Sequence, residues 1–291
     1  MAVSTRSDFV DFIYPLWERL ELYDSTKLSS DQPKNDAADP TKAIPQGFLD
    51  AMSVREQVYV EEQGVPLENE LDDDDKRSFH WTVYASVPSK NSTSLVQAVE
   101  NGNQNGRRVS SSTKIPIGTI RLVPPPHAPH PSPNSHHKTD AVNGDVRKDS
   151  TSVHDGKEAY IKLGRLTVIP PYRKAGISKL LIETALAYAR NHPYEVMPGW
   201  DPAKFESLKQ DSDLMSRVDW KGLVLVHAQV GVQKVWRRYG FETDESMGCW
   251  DEEGIEHVGM WKKLDVSAGR RKSKIWLGGM GSPLLSPLAS P

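Results

Sequence analysis

Cysteine is almost absent. Cys249 is the only one in 291 residues, which excludes an intrachain disulfide framework and a zinc site built on several cysteines. No metal centre is expected. Long apolar runs are also missing: the first apolar stretch, residues 9–17, is short and contains Asp11 and Pro15, too little to span a bilayer. The opening residues lack the basic-then-apolar layout of a secretory signal, so the reading is cytoplasmic or nuclear, with no membrane partner. Nor is one sign of charge in excess. The 36 Lys and Arg against 39 Asp and Glu leave a net charge of -3, which gives no global attraction for nucleic acid.

What is present is ordinary globular material, 37% hydrophobic and 26% charged, interrupted by polar stretches that bury too little apolar surface to offset chain entropy. Residues 1–44 read as an N-terminal extension, loose from 24 onward. Residues 45–264 read as one domain with inserts at 87–114, 124–157 and 192–219, and residues 265–291 as a disordered tail. The second insert has six prolines between Pro124 and Pro133 and five of the nine histidines (His127, His130, His136, His137, His154); the tail has a basic cluster, 270–274, and three Ser-Pro pairs.

Between these lie periodic segments. Phe48, Met52, Arg55 and Tyr59 fall on one helical face. Residues 79–86, 115–123 and 160–169 read as strands. Ile177, Leu180, Leu181, Ala185 and Tyr188 trace a helical stripe that ends before Pro193. Residues 222–226 suit a strand buried on both faces, followed by a helix through Trp236 and Tyr239, with further strands from Phe241 and over 257–264. The fold class is α/β: a mixed, mostly antiparallel central sheet flanked by helices, with disordered inserts.

One connection carries chemistry. The strand ending at Ile169 leads through Arg173, Lys174, Ala175 and Gly176 into the helix begun by Ile177 and Ser178. A helix N-terminus leaves several N–H groups without internal partners, and its dipole with two cationic side chains makes an anion site. The spacing is neither that of a Walker A loop nor of G-x-G-x-x-G.

Residues 164–178, with R-x-x-G-x-S at 173–178, resemble motif A of the GNAT superfamily of acyl-CoA-dependent N-acyltransferases, in which R/Q-x-x-G-x-G/A cradles the coenzyme A pyrophosphate; Ser178 stands where that pattern has Gly or Ala. Two further blocks resemble the ElaA-like branch. One is 55–63 with Glu70, Asp72, Asp75 and His80; the other comprises His227-Ala228-Gln229, Tyr239-Gly240-Phe241 and 253–260.

The resemblance implies acetyl-CoA as co-substrate and transfer of its acetyl group to a primary amine by direct attack in a ternary complex. It implies that Arg173, Lys174, Ala175, Gly176, Ile177 and Ser178 hold the pyrophosphate. The Leu166 backbone N–H would lie near the thioester oxygen, and the Val168 backbone would pair with the pantetheine arm. Candidate bases are Glu62, His80, His227 and His257, with His227 first among the histidines. The family's usual acid, a tyrosine, is replaced by Trp236, whose indole releases no proton at neutral pH; Tyr239 is the nearest phenol.

The acceptor is a small-molecule or peptide amine. Glucosamine 6-phosphate would need a second cationic cluster, for which Arg55 and Arg121 are the in-core candidates. The run Glu68, Glu70, Asp72, Asp73, Asp74, Asp75 either attracts a cationic acceptor or is a solvated loop. A monomer or homodimer is expected. The alternative from another class is a non-catalytic acyl-CoA-binding or scaffold protein.

Overall fold

Nine strands join in one mixed sheet in the computed structural model, which describes residues 9–33, 43–88, 112–137, 151–197 and 220–267. They are β1 (Val10–Ile13), β2 (Phe79–Pro88), β3 (Ser112–Val123), β4 (His136–His137), β5 (Tyr160–Val168), β6 (Leu223–Gln229), β7 (Glu242–Thr243), β8 (Cys249–Glu252) and β9 (Ile255–Lys263). Their order is β1-β2-β3-β5-β6-β9-β8-β4, with β7 also pairing β9. Only β5–β6 and β4–β8 are parallel, so the expected mixed, mostly antiparallel sheet is what forms. The helices are α1 (Gln46–Arg55), α2 (Ile177–Asn191) and the short α3 (Gln233–Arg237).

Alternation along β2 assigns the two faces of the sheet. Phe79 and Trp81 point to α2, where Tyr188 packs its ring on both, with centroids 5.4 and 5.5 Å apart. Leu181, Ile182, Ala185 and Ala189 of α2 join Ile161, Leu163, Val224 and Val226 in the main core. Each buried Leu, Ile or Val among them contributes about 1.5–3 kcal/mol. His80 and Thr82 point the other way, to α1: the His80 ring meets Phe48 edge-on at 5.1 Å, and the Thr82 hydroxyl donates to the Gly47 carbonyl at 3.0 Å.

Three expectations need correction. First, the N-terminal extension is not loose over its described part. Strand β1 pairs with β2, and Ile13, Leu16 and Leu20 share a core with Ile44, Phe48 and Met52. Farther on, the Ser29 N–H and hydroxyl donate to the buried Glu56 carboxylate at 2.7 and 2.9 Å. Second, residues 124–137 and 151–157 of the proline- and histidine-rich insert are packed. His130 and His154 are buried against Tyr160 and Trp261 on β5 and β9. Among the described residues no cluster of histidines and acids has metal-binding geometry.

Third, the acidic run is not simply a solvated loop. Glu70 and Asp75 are fully buried and Asp72 nearly so, against Arg55, Arg121 and Arg165. Three guanidinium charges thereby meet three carboxylates. The 89–111 part of the first insert, the 198–219 segment with its expected helix, and the tail beyond 267 with its basic cluster lie outside the described residues. No helix among the described residues is long and apolar enough to cross a membrane.

This core makes stability depend on pH. Burial, reinforced by Arg55 and Arg121 and opposed by Asp75, pushes the His80 imidazole down to about 4; burial and nearby histidines push His130 down to about 3. An unfolded imidazole takes its proton near pH ~6.5. Between those values the unfolded chain binds more protons, so stability is full above about pH 6.5 and is lost as pH falls. The His80 shift corresponds to about 3 kcal/mol. We expect the melting temperature to drop between pH 6.5 and 4, and His80→Gln to flatten that slope.

Candidate acyl-CoA cleft

Strands β5 and β6 run parallel from the Tyr160 and Leu223 pair to the Leu163 and Val226 pair, and then separate. Beyond this point β5 keeps its partner β3 on one edge, through a bulge at Arg165, whose φ is 51°. The other edge is open. The Ile169 N–H donates to Ile117 of β3 at 3.0 Å, so by alternation Val168, and Leu166 two residues before it, turn their backbone groups into the gap. Their side chains pack on the core. The gap widens into a cavity of about 420 Å³.

One wall is the end of the first helix. After α1 the chain continues as a π-helical turn, Glu56–Glu62, closed by the Gln63 N–H to the Val58 carbonyl at 3.1 Å. The extra residue per turn rotates Tyr59, Glu62 and Gln63 to the cavity. Burial pushes the Tyr59 phenol up to about 12, and the Arg165 guanidinium lies 5.9 Å from its ring centroid.

At one end is the anion loop. Lys174 and Gly176 have φ of 67° and 83°, and such left-handed residues alternating with right-handed ones turn successive N–H groups to one side. The first helical bond of α2 is Leu180 N–H to Gly176 C=O at 3.1 Å; the N–H groups of Gly176, Ile177 and Ser178 have no partner among the described residues. No atom lies within 4 Å of a β-carbon built on Gly176. Open space, free donors and two cationic side chains fit a diphosphate.

The Arg173 guanidinium is held by two contacts. It donates to the Glu62 carboxylate at 2.7 and 2.5 Å and, through Nε, to the Val168 carbonyl at 2.9 Å. The pair draws Glu62 below its ordinary carboxylate range. Both side chains are about 40% exposed (41% and 39%), and exposed pairs contribute only ~0.2–1 kcal/mol, so a diphosphate competes readily for the arginine.

At the other end sits His227, the residue after the last β5–β6 pair, facing the cavity with Gln229, His257 and Glu252. The structure thus gathers Glu62, Leu166, Val168, Arg173, Lys174, Ile177, Ser178 and His227 around one cavity, with Ala175 and Gly176 exposed beside it. It does not bring Tyr239 there: that phenol packs on the core, and Trp236 lines the cavity instead. His80 is committed to the Asp75 carbonyl at 3.1 Å, away from the cavity lining. Arg55 and Arg121, expected as cations for a sugar phosphate, are neutralised by Glu70, Asp72 and Asp75. Tyr59 and Arg165 fall inside the blocks 55–63 and 164–178 without a role assigned to them there, and Glu252 lies outside every motif.

Solved structures resemble the chain at low identity. An acyl-CoA N-acyltransferase from Pseudomonas aeruginosa is 18% identical, with a TM-score of 0.39 over 81% of this chain and 95% of that one. ElaA from Escherichia coli is 15% identical, with 0.37 over 76% and 92%. The Bacillus subtilis N-acetyltransferase YlbP, solved with coenzyme A, is 12% identical, with 0.26 over 63% and 97%. A search of curated proteins finds no match. Residues 55–202, just over half of the chain, match the acetyltransferase (GNAT) family. The chain belongs to that family and is an acyl-CoA-dependent N-acyltransferase.

Proposed function

We propose that the protein transfers the acetyl group of acetyl-CoA to a primary amine by direct attack in a ternary complex. The observation that carries this reading is the parting of β5 from β6 after Leu163, which opens one cavity between the N-terminus of α2 and His227. Arg173 to Ser178 hold the pyrophosphate, Val168 pairs with the pantetheine arm, and the Leu166 N–H lies at the thioester oxygen, where an aimed donor is worth about 2.7–4 kcal/mol.

Acetyl-CoA supplies the activated acyl group; the chain supplies positioning and a base. Deprotonating an ordinary ammonium at pH 7 costs about 4.6 kcal/mol, and alignment of two reactants recovers roughly 7–11. His227 Nε2 accepts the amine proton as the N–C bond forms and the C–S bond breaks, and the imidazolium returns a proton through solvent to the departing thiolate. Glu62, held by Arg173, is the poorer base, and Tyr239 takes no part. With Arg55 and Arg121 neutralised, a polyamine or peptide amine fits better than glucosamine 6-phosphate.

The test is thiol release from acetyl-CoA with spermidine, a lysine peptide and glucosamine 6-phosphate. Amine-dependent release with spermidine or the peptide, lowered about 100-fold or more by His227→Gln, is the expected result. Acetyl-CoA binding without turnover for any amine favours a non-catalytic acyl-CoA-binding protein.

A further inference from the structure

The geometry points to a positioning role for Glu252, a residue that no motif singles out. Strand register explains how it arrives. Gln229 of β6 pairs with His257 of β9, which pairs with Trp250 of β8; His227, level with Gly259, and Glu252, level with Ile255, share the face of that row from its two sides, with the Trp250 side chain between them. Gly259 opposes His227, leaving room that Met247 Sδ fills, 2.1 Å from a β-carbon built there. The turn Glu253-Gly254, with both φ positive at 53° and 81°, is a tight two-residue hairpin that fixes the end of β8.

The side chains converge from there. Glu252 Oε1 accepts the Trp250 indole N–H at 2.6 Å and lies 3.3 Å from His227 Nδ1. The Trp250 ring stands across the His227 ring at 4.8 Å and 76°, so the imidazole plane and the carboxylate are braced by one indole. Oε2 faces His257 Nε2 at 3.9 Å, while His257 Nδ1–H donates to the Ile255 carbonyl at 2.8 Å. Lys162 of β5 and Glu253 line the same cavity, and His130 lies near enough to His227 for their charges to interact.

A carboxylate 3.3 Å from Nδ1 favours the proton there and leaves Nε2 with a lone pair. We propose that Glu252 thereby sets the tautomer of His227 for accepting a proton at Nε2; this rests on His227 being the base. The imidazolium formed shares its Nδ1–H with Glu252, so the charge is stabilised where it develops.

Histidine-labelled protein tests this by nitrogen NMR of the imidazoles, with His227→Gln identifying the signal. The expected result is an Nδ1–H tautomer in the wild type, lost in Glu252→Ala and retained in the isosteric Glu252→Gln, whose amide oxygen still accepts. With the amine that turns over, Glu252→Ala lowers kcat about tenfold or more and leaves KM for acetyl-CoA unchanged. An unchanged tautomer in Glu252→Ala overturns the proposal even if no amine in the panel reacts. If the tautomer follows Glu252 but His227→Gln keeps full kcat, the base assignment fails and, with it, the catalytic role of Glu252, while the contact stands.

Discussion

Gly176→Leu lowers the affinity for coenzyme A at least 30-fold in calorimetry and leaves the protein folded. The position is the N-cap of α2, at φ 83°. A β-carbon there meets nothing within 4 Å beyond its chain neighbours, so the structural penalty at that atom is the left-handed backbone, about 1–2 kcal/mol. The functional penalty is larger because, on the proposed reading, the coenzyme A pyrophosphate occupies that empty space. A leucine projected from Gly176 covers the N–H groups of Ile177 and Ser178, and an anion loses both the donors and its approach to the helix dipole. The dipole contributes up to ~2 kcal/mol in a favourable geometry, and 30-fold in affinity is also about 2 kcal/mol. Coenzyme A affinity within about threefold of the wild type would remove the pyrophosphate from this loop.

Long periodic segments made most of the sheet legible. The strands at 79, 115, 160 and 257 and the helix begun by Ile177 each repeat their period often enough to override local accidents. Strand β1 has four residues and β4 two, too few for a period to register. The run from Pro124 to Pro133 looks unfoldable by composition, yet it is held because His130 stacks on Tyr160 and meets Trp261 edge-on, the second contact made across more than a hundred residues of chain. The acidic run reads as solvated for the same reason: the neutralising arginines, at 55, 121 and 165, come from three separate elements.

In the cleft, the anion loop was readable because a strand, a basic turn and a helix start are consecutive in the chain. Trp236 in α3 lines the cavity, while Tyr239, past the end of that helix, packs on the core. Glu252 was invisible because its partners, His227 and Trp250, come together only through the register of three strands.

Arg55→Met is expected to cost about 3–5 kcal/mol of unfolding free energy, the range for an uncompensated buried charge. Arg55 is 1% exposed. Its Nε donates to Glu70 Oε1 and its Nη2 to the Glu70 carbonyl, both at 2.5 Å, while Asp75 accepts at 2.8 and 3.1 Å. Removing the guanidinium leaves Glu70 and Asp75 to Arg121 and Arg165, with two cations facing three carboxylates. Arg55→Lys does not rescue, because one ammonium lacks the planar fork that reaches both carboxylates and the carbonyl at once. The surface pair Lys179 and Glu183, 4.0 Å apart and more than half exposed, is the control: Lys179→Met changes stability by about 0.5 kcal/mol or less. Denaturant unfolding measures both. The loss for Arg55→Met also reaches the cleft, since Glu70, Arg121 and Arg165 line it: on the proposed reading, residual folded protein binds acetyl-CoA but turns it over more slowly, because the Arg165 bulge that would aim Leu166 has lost part of its anchor. A loss below about 1 kcal/mol would show that Arg121 and Arg165 alone satisfy the three carboxylates.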